Sequence, residues 1–234
     1  AKGELKQRLA SLNDTLNRRM HAATQLDYED WLKSHQPFHW LAEFYQIIKG
    51  NGGFDVIIGN PPYVTFTDAS LKYNVRQYST YNTKNLFALC GERFTSLVCN
   101  NASIGYIIPL SGMSIDGFES LQNIIYSNCH SWNSYYSGDR NPSELFTGVK
   151  IRAGIYISRH QKGNGRKYVG RYIKYSAAER GILFSKINYV EIKDYISAPK
   201  VPTTIGYSIL QKIRGMNITL ANKLTFELLD ELLL

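Results

Sequence analysis

Cysteine is scarce in this chain of 234 residues, which has only Cys90, Cys99 and Cys129. Their odd number and the lack of any CxxC pair argue against a disulfide framework and a tetrahedral zinc site, so we expect free thiols in a reducing cytoplasm. The five histidines have no carboxylate or cysteine at ligand spacing, and no metal site is expected. No run approaches the ~18 apolar residues of a membrane span. The sequence therefore predicts a cytoplasmic protein without a membrane partner.

Acidic residues are absent between Leu145 and Ala178. The same window holds eight Lys and Arg residues, which equal the net charge of +8 of the whole chain. Positive charge concentrated in this way predicts contact with a polyanion such as DNA. The candidate DNA contacts are Lys150, Arg159, Lys162, Arg166, Lys167 and Arg171. The alternative is a solvated basic hairpin without a ligand.

A leucine stripe predicts an amphipathic helix at the start of the chain. Three- and four-residue spacings place one face of that helix at Leu5, Leu9, Leu12, Leu16 and Met20, and we expect it to dock by this face. A second, shorter helix is expected over 27–34, and the glycines of 50–53 predict a turn. Residues 1–50 are therefore interpreted as a helical segment that precedes the first strand.

The rest of the chain alternates between strand and helix patterns, which predicts an α/β fold. Strands are expected over 54–59, 103–110, 132–136, 151–158 and 168–175, and helices over 85–99, 118–126 and 203–214. Gly163-Asn164-Gly165 favours a hairpin turn that joins the last two of these strands.

A polar turn stiffened by proline follows the first predicted strand. Phe54–Gly59 is short, β-branched and almost continuously apolar, as expected of a buried parallel strand, and it runs directly into Asn60-Pro61-Pro62-Tyr63. We call these four residues the motif turn. Open α/β sheets bind their ligands at the carboxyl ends of such strands.

The motif turn combines two hydrogen-bond acceptors with an aromatic ring. The Asn60 side chain and the Pro61 carbonyl both accept, and the two prolines hold the backbone φ angles fixed. Convergent acceptors suit an exocyclic amino group on a planar base, because they draw the nitrogen lone pair out of conjugation and make it a better nucleophile. Tyr63 offers a surface on which the base can stack. The alternative is a stiff turn without a chemical role.

The segment Phe54–Tyr63 resembles the catalytic motif of DNA adenine methyltransferases that act on the N6 amino group. More closely, the chain resembles the fused restriction–modification enzymes of type IIG, whose modification part is similar to the Taq adenine methyltransferase. Further segments resemble motifs of that family in the same order, at 37–40, 85–87, 107–111, 140–146 and 175–184. The resemblance extends over roughly 37–214.

This resemblance implies a role for each motif. The catalytic turn would consist of Asn60, Pro61, Pro62 and Tyr63. Tyr63 and Phe146 would also pack against an adenine flipped out of double-stranded DNA. The cofactor would be S-adenosylmethionine, with its pocket edged by Asn85, Leu86 and Phe87. The implied activity is site-specific methylation of adenine N6 within a restriction–modification system.

Two elements of the family pattern are not found in the sequence: a Gly-rich turn after a first strand, and an acidic residue that binds the cofactor ribose. The expected fold is therefore a partial Rossmann-like methyltransferase that lacks its first strands, with an N-terminal helical segment. We divide it into 1–50, the helical segment; 51–160, the second half of the methyltransferase domain; and 161–234, a basic hairpin and the start of a target-recognition region.

The sequence also begins without methionine, which predicts an excised or processed piece. Such a piece is expected to be inactive alone, with an incomplete cofactor site, and to self-associate or pair with the missing half. Two other functions stay open, namely a DNA-binding module without catalysis and an assembly subunit that needs a second polypeptide.

Overall fold

A computed structural model describes residues 2–71, 73–138, 145, 148, 150–161, 163, 165–193, 198–200 and 203–216. Its centre is one six-stranded sheet, and the predicted α/β class is confirmed. The strands are β1 (Phe54–Gly59), β2 (Val98–Pro109), β3 (Cys129–Tyr136), β4 (Ala153–His160), β5 (Lys167–Ile173) and β6 (Val190–Ile192). Their spatial order is β1-β2-β4-β3-β5-β6. The sheet crosses the predicted domain boundary at residue 160, because β5 pairs with β3.

The described ranges contain seven α-helices. They are α1 (Lys2–His21), α2 (Tyr28–His35), α3 (Trp40–Glu43), α4 (Leu86–Leu97), α5 (Ser111–Ser114), α6 (Glu119–Ile125) and α7 (Thr204–Gly215). Local capping explains two of their boundaries, since the Asp27 side chain accepts from the first turn of α2 and Thr203 does the same for α7. None of these helices is both long and apolar enough to span a lipid bilayer.

The sheet is mixed. β1 pairs parallel with β2, and β3 pairs parallel with β5, while the β2–β4, β4–β3 and β5–β6 pairs are antiparallel. The predicted hairpin between β4 and β5 is therefore wrong, because β3 lies between them. A Cβ added at Gly165 would lie 1.5 Å from the backbone oxygen of Cys129. Glycine at position 165 therefore permits the segment between β4 and β5 to pass close to the backbone at the start of β3.

The main core lies between one face of the sheet and the helices α4 and α6. β2 contributes Ile104, Tyr106 and Ile108, which are fully or almost fully buried against side chains of both helices. The alternate residues of β2, including Gly105 and Ile107, point to the opposite face, as the twofold period of a strand requires. A second, smaller cluster covers part of that opposite face, with Tyr136, Ile173, Tyr175 and Leu183 as its buried members.

The predicted burial of β1 is wrong, although its bounds and its parallel pairing are as expected. β1 lies first in the strand order and pairs on one side only, with β2. The side chains of Val56 and Ile58 are 57% and 83% exposed. The apolar sequence of β1 therefore belongs to an edge strand with one open face.

The N-terminal helix forms as predicted but is not buried by its leucine stripe. α1 contacts α2 and α3, yet none of its residues is buried and Leu5 remains 69% exposed. Tyr73 links this helical region to the rest of the chain, because its hydroxyl donates to the backbone oxygen of His35 and its ring packs edge-on against the His35 ring.

Candidate active site

The motif turn leaves the sheet at the carboxyl end of β1. Asn60 and Pro62 are exposed, whereas Pro61 is buried. This alternation anchors the turn through one proline and presents the Asn60 side chain to solvent. The location is the edge at which open α/β sheets bind their ligands.

Tyr63 ties the motif turn to β2 and to Asn60. Its hydroxyl donates to Oδ1 of Asn60 at 2.5 Å and lies 3.1 Å from the backbone oxygen of Ile107. Its ring is partly buried against the main core, and this burial raises the pKa of Tyr63 to about 12. The hydroxyl therefore stays protonated at neutral pH and acts as a donor. Stacking of this ring on a base stays a prediction.

The chain after the motif turn folds back to the start of α4. The backbone N–H of Leu86 donates to the oxygen of Val64 at 2.9 Å, and Thr65 forms an antiparallel bridge with Asn85. Asn85 also donates from Nδ2 to the backbone oxygen of Thr83 at 2.6 Å. Two segments that are at least twenty residues apart in the sequence are thus joined by backbone hydrogen bonds.

The three residues predicted to edge the cofactor pocket have different environments. Asn85 and Leu86 are partly exposed beside the motif turn. Phe87 is 1% exposed and stacks on Phe118 with ring centroids 5.4 Å apart. Phe87 is thus a core residue in this structure, whereas a cofactor contact by Asn85 and Leu86 stays a prediction.

An apolar cleft of about 660 Å³ runs from Asn60 along the open face of the sheet. Its lining is largely aliphatic and includes Val56, Ile58, Ile107, Ile155 and Ile157. No carboxylate occurs among its lining residues in the described part of the chain. A cofactor with an amino acid moiety and a ribose needs polar partners, so this surface suits apolar protein side chains better.

The predicted basic residues do not form one surface. Three of them, Arg159, Arg166 and Lys167, lie where β4 ends and β5 begins. These positions are at the ends of the strands opposite to the motif turn. Four strand spacings separate β5 from β1, which is about 19 Å within the sheet. Lys150 and Arg171 are exposed, and they lie nearer to the strand ends at which the motif turn is found.

Lys167 differs from the other basic candidates because it is largely buried. Its Nζ lies 4.0 Å from the centroid of the Tyr126 ring, and burial lowers the pKa of Lys167 to about 8. A phosphate contact by Lys167 therefore requires its side chain to move. Phe146 and Lys162 lie outside the described residues.

Three further groups near the motif turn and the start of α4 were not apparent in the sequence. They are the backbone oxygen of Ile107, which contacts Tyr63, and the side chains of Asp68 and Lys84, which pair at 2.9 Å. The segment 107–111 was noted for its family resemblance, but neither Asp68 nor Lys84 belongs to a recognisable motif. Their pairing depends on how the chain folds back between Tyr63 and Asn85.

The comparisons with known proteins indicate the family. A family model described as the Eco57I restriction-modification methylase matches residues 2–141. A Methanocaldococcus jannaschii protein assigned by name to the type II restriction enzymes and methyltransferases is 38% identical over 122 residues, which are 52% of this chain. The chain spans about one tenth of the length of that curated relative, since the match covers 10% of it.

Solved structures of restriction–modification enzymes are similar in part. The DrdV–DNA complex aligns with 60% of this chain and 17% of its own at 14% identity, with a TM-score of 0.47. A nuclease-deletion mutant of the type ISP enzyme LlaGI, in complex with a DNA substrate mimic, aligns with 61% of this chain and 15% of its own at 15% identity, with a TM-score of 0.46. The family model covers more than half of the sequence, and the chain therefore belongs to the Eco57I restriction-modification methylase family.

Proposed function

We propose that this chain is the target-base part of a DNA methyltransferase that transfers a methyl group to N6 of adenine. The observation that carries the proposal is the motif turn, in which exposed Asn60 follows a parallel strand and is held by Tyr63. Family membership supports methyltransferase chemistry in a restriction–modification system. The choice of adenine rests on the residues of the turn.

Asn60 and Pro61 would bind the amino group of a flipped adenine. A carbonyl oxygen has two lone pairs, so the bond from Tyr63 leaves one lone pair on Oδ1 of Asn60 for an amino hydrogen. The Pro61 carbonyl would accept the second hydrogen. Holding both hydrogens localises the lone pair on N6, which then forms the new C–N bond, and the surplus proton passes to solvent.

The base must leave the duplex to reach these acceptors, which costs a few kcal/mol. Stacking on an aromatic ring returns about 1–3 kcal/mol, and Tyr63 is the ring that adjoins Asn60. The remaining catalysis is alignment, since a direct displacement requires donor, methyl group and acceptor in line. When bound, S-adenosylmethionine would supply an activated methyl group, with the sulfonium sulfur as the leaving group that keeps the bonding electron pair.

The donor set beside the motif turn fits one side of that cofactor. Asn60 and Asn85 offer amides, and Leu86 offers an apolar contact for an adenine ring. The adjoining cleft is aliphatic and fits a packed protein surface. We therefore propose that the ribose and amino acid moieties are bound by residues beyond the described part of this chain.

A second candidate function is that of an assembly piece whose sheet is completed by further strands. The open edge of β1 and the exposed side chain of Ile58 favour this function. An apolar edge strand with unpaired backbone groups can pair with a further strand. The two candidates are compatible, since the added strands would also complete the methyltransferase. We propose double-stranded DNA as the other partner, contacted first through the basic residues nearer to the motif turn.

The experiment is methyl transfer from radiolabelled S-adenosylmethionine to duplex DNA by the full-length polypeptide that carries this chain, followed by identification of the methylated nucleoside. We expect N6-methyladenine. Asn60→Ala is expected to lower the rate by at least about 100-fold, as for loss of a preorganised polar group, with DNA affinity nearly intact. Methylated cytosine, or near-normal methylation by the Asn60 variant, would overturn the proposal.

A further inference from the structure

Lys84 has a backbone conformation that is uncommon for a residue with a side chain. Its φ of 53° and ψ of 29° lie in the left-handed region, at the junction between the short helix Tyr81–Thr83 and the first turn of α4. Such conformations persist where the surrounding contacts determine them, and they are enriched at functional sites. Asn85, the next residue, is the one that bridges to Thr65 beside the motif turn.

The side chain of Lys84 is held by an acidic and an aromatic partner. Its Nζ lies 2.9 Å from Oδ1 of Asp68 and 3.6 Å from the centroid of the Tyr81 ring. The Tyr81 hydroxyl donates to the same Asp68 oxygen at 2.6 Å, and Arg76 donates to the other at 2.9 Å. These donors hold the pKa of the Asp68 carboxyl well below its usual range. We call Asp68, Arg76, Tyr81 and Lys84 the Asp68 clasp.

Backbone hydrogen bonds connect this clasp to the motif turn. The N–H of Phe66 donates to the oxygen of Lys84 at 2.9 Å, and the N–H of Leu86 donates to the oxygen of Val64 at 2.9 Å. Val64 follows Tyr63 directly. The backbone conformation of Lys84 therefore constrains the motif turn. Leu86 lies two residues after Lys84, and its hydrogen-bond partner Val64 adjoins Tyr63.

From these contacts we propose that Lys84, held by Asp68 and Tyr81, is a positioning residue that fixes Asn85 and the start of α4 against the Asn60–Tyr63 turn. This inference rests on the proposed function. The ion pair contributes little to stability by itself, since both side chains are substantially exposed, at 42% and 47%. Its effect is on geometry, because a small misplacement of acceptor and methyl donor costs far more in rate than in folding.

The test compares Lys84→Met, Asp68→Asn and the conservative variant Lys84→Arg in the full-length polypeptide, with Lys33→Met on α2 as the exposed control. Two quantities are measured, namely methylation kinetics and the hydrogen exchange of the Phe66 and Leu86 amides. We expect Lys84→Met and Asp68→Asn to lower kcat by about 10-fold while KM for DNA changes less than about twofold. Exchange of the two amides should rise, Lys84→Arg should retain most of the activity, and Lys33→Met should resemble the wild type.

Other outcomes overturn the inference in distinct ways. Faster amide exchange with unchanged kcat would make the Asp68 clasp a structural feature only. A raised KM for DNA and a flatter salt dependence with normal kcat would make Lys84 a phosphate contact. Failure of the proposed function is recognised separately, because the wild type would then methylate no adenine or the parallel Asn60→Ala variant would stay active, and the inference would fall with it.

Discussion

The Tyr63 hydroxyl donates a hydrogen bond to Oδ1 of Asn60 across 2.5 Å, within the four-residue turn that both belong to. The same hydroxyl lies 3.1 Å from the backbone oxygen of Ile107 on the neighbouring strand. The bond from Tyr63 sets the orientation of the Asn60 side-chain amide, with Oδ1 facing the hydroxyl. Through the same hydroxyl, the amide is connected to β2. Tyr63 therefore orients the group on which the proposed chemistry depends.

Removing only this hydroxyl tests its role. Tyr63→Phe keeps the ring but loses the bond to Asn60, and a net hydrogen bond is worth about 1 kcal/mol, or roughly fivefold in rate. We expect kcat for adenine methylation to fall by about that factor, with DNA affinity unchanged. Single-turnover kinetics of the full-length polypeptide provide the measurement.

Tyr63→Ala is the companion variant, because it removes the ring as well as the hydroxyl. A further loss beyond that of Tyr63→Phe, up to about 3 kcal/mol, is expected if the ring stacks on the flipped base. Equal rates for Tyr63→Phe and the wild type would show that the Asn60 bond has no part in orientation.

The chain by itself is expected to bind S-adenosylmethionine weakly. The described residues beside Asn60 and Asn85 would form only one wall of the proposed site, and small-molecule sites depend on burying most of the ligand. Isothermal titration calorimetry of the isolated chain gives the answer. Micromolar affinity would mean that the cofactor site is complete within this sequence.

The open edge of the sheet is expected to drive self-association of the isolated chain. Ile58→Lys places a charge on the exposed apolar edge strand, which opposes strand pairing, yet it should change the free energy of unfolding by less than about 0.5 kcal/mol. Sedimentation velocity should show the wild type as larger species and the variant as mostly monomer. Ile182→Lys, at another exposed isoleucine away from β1, should leave the association unchanged. A monomeric wild type would contradict the expectation.

The largely buried side chain of Lys167 predicts a dependence of stability on pH. Burial lowers its pKa to about 8 in the folded chain, whereas an unfolded lysine titrates near its ordinary value of about 10.4. Between these values the unfolded chain binds more protons, so the folded state gains stability as pH rises through this interval. We expect Lys167→Met to be more stable than the wild type at pH 7, with an advantage that shrinks towards pH 10.

Urea unfolding at the two pH values measures this difference. Lys174→Met is the matched control, since Lys174 is an exposed lysine that follows the same strand. The control should show no such pH-dependent advantage. A Lys167 variant that is equally favoured at both pH values would contradict the assigned cause.

Local patterns in the sequence determined most of the secondary structure. A β-branched run predicted β1, and the capping residues Asp27 and Thr203 lie where α2 and α7 begin. The motif turn was evident because its acceptors, prolines and aromatic ring are consecutive. Such features depend on residues within a few positions of each other, so no distant contact is needed to recognise them.

The tertiary structure decided which segments are neighbours and which surfaces are open. β3 inserts between β4 and β5 although Gly163 and Gly165 favour a hairpin, because pairing in the sheet outweighs a local turn preference. The same pairing order leaves Ile58 exposed on an edge and separates the basic residues into two groups. The Asp68 clasp also forms only when a loop closes on itself. Strand order and loop closure depend on contacts between residues far apart in the chain, which the sequence alone does not specify.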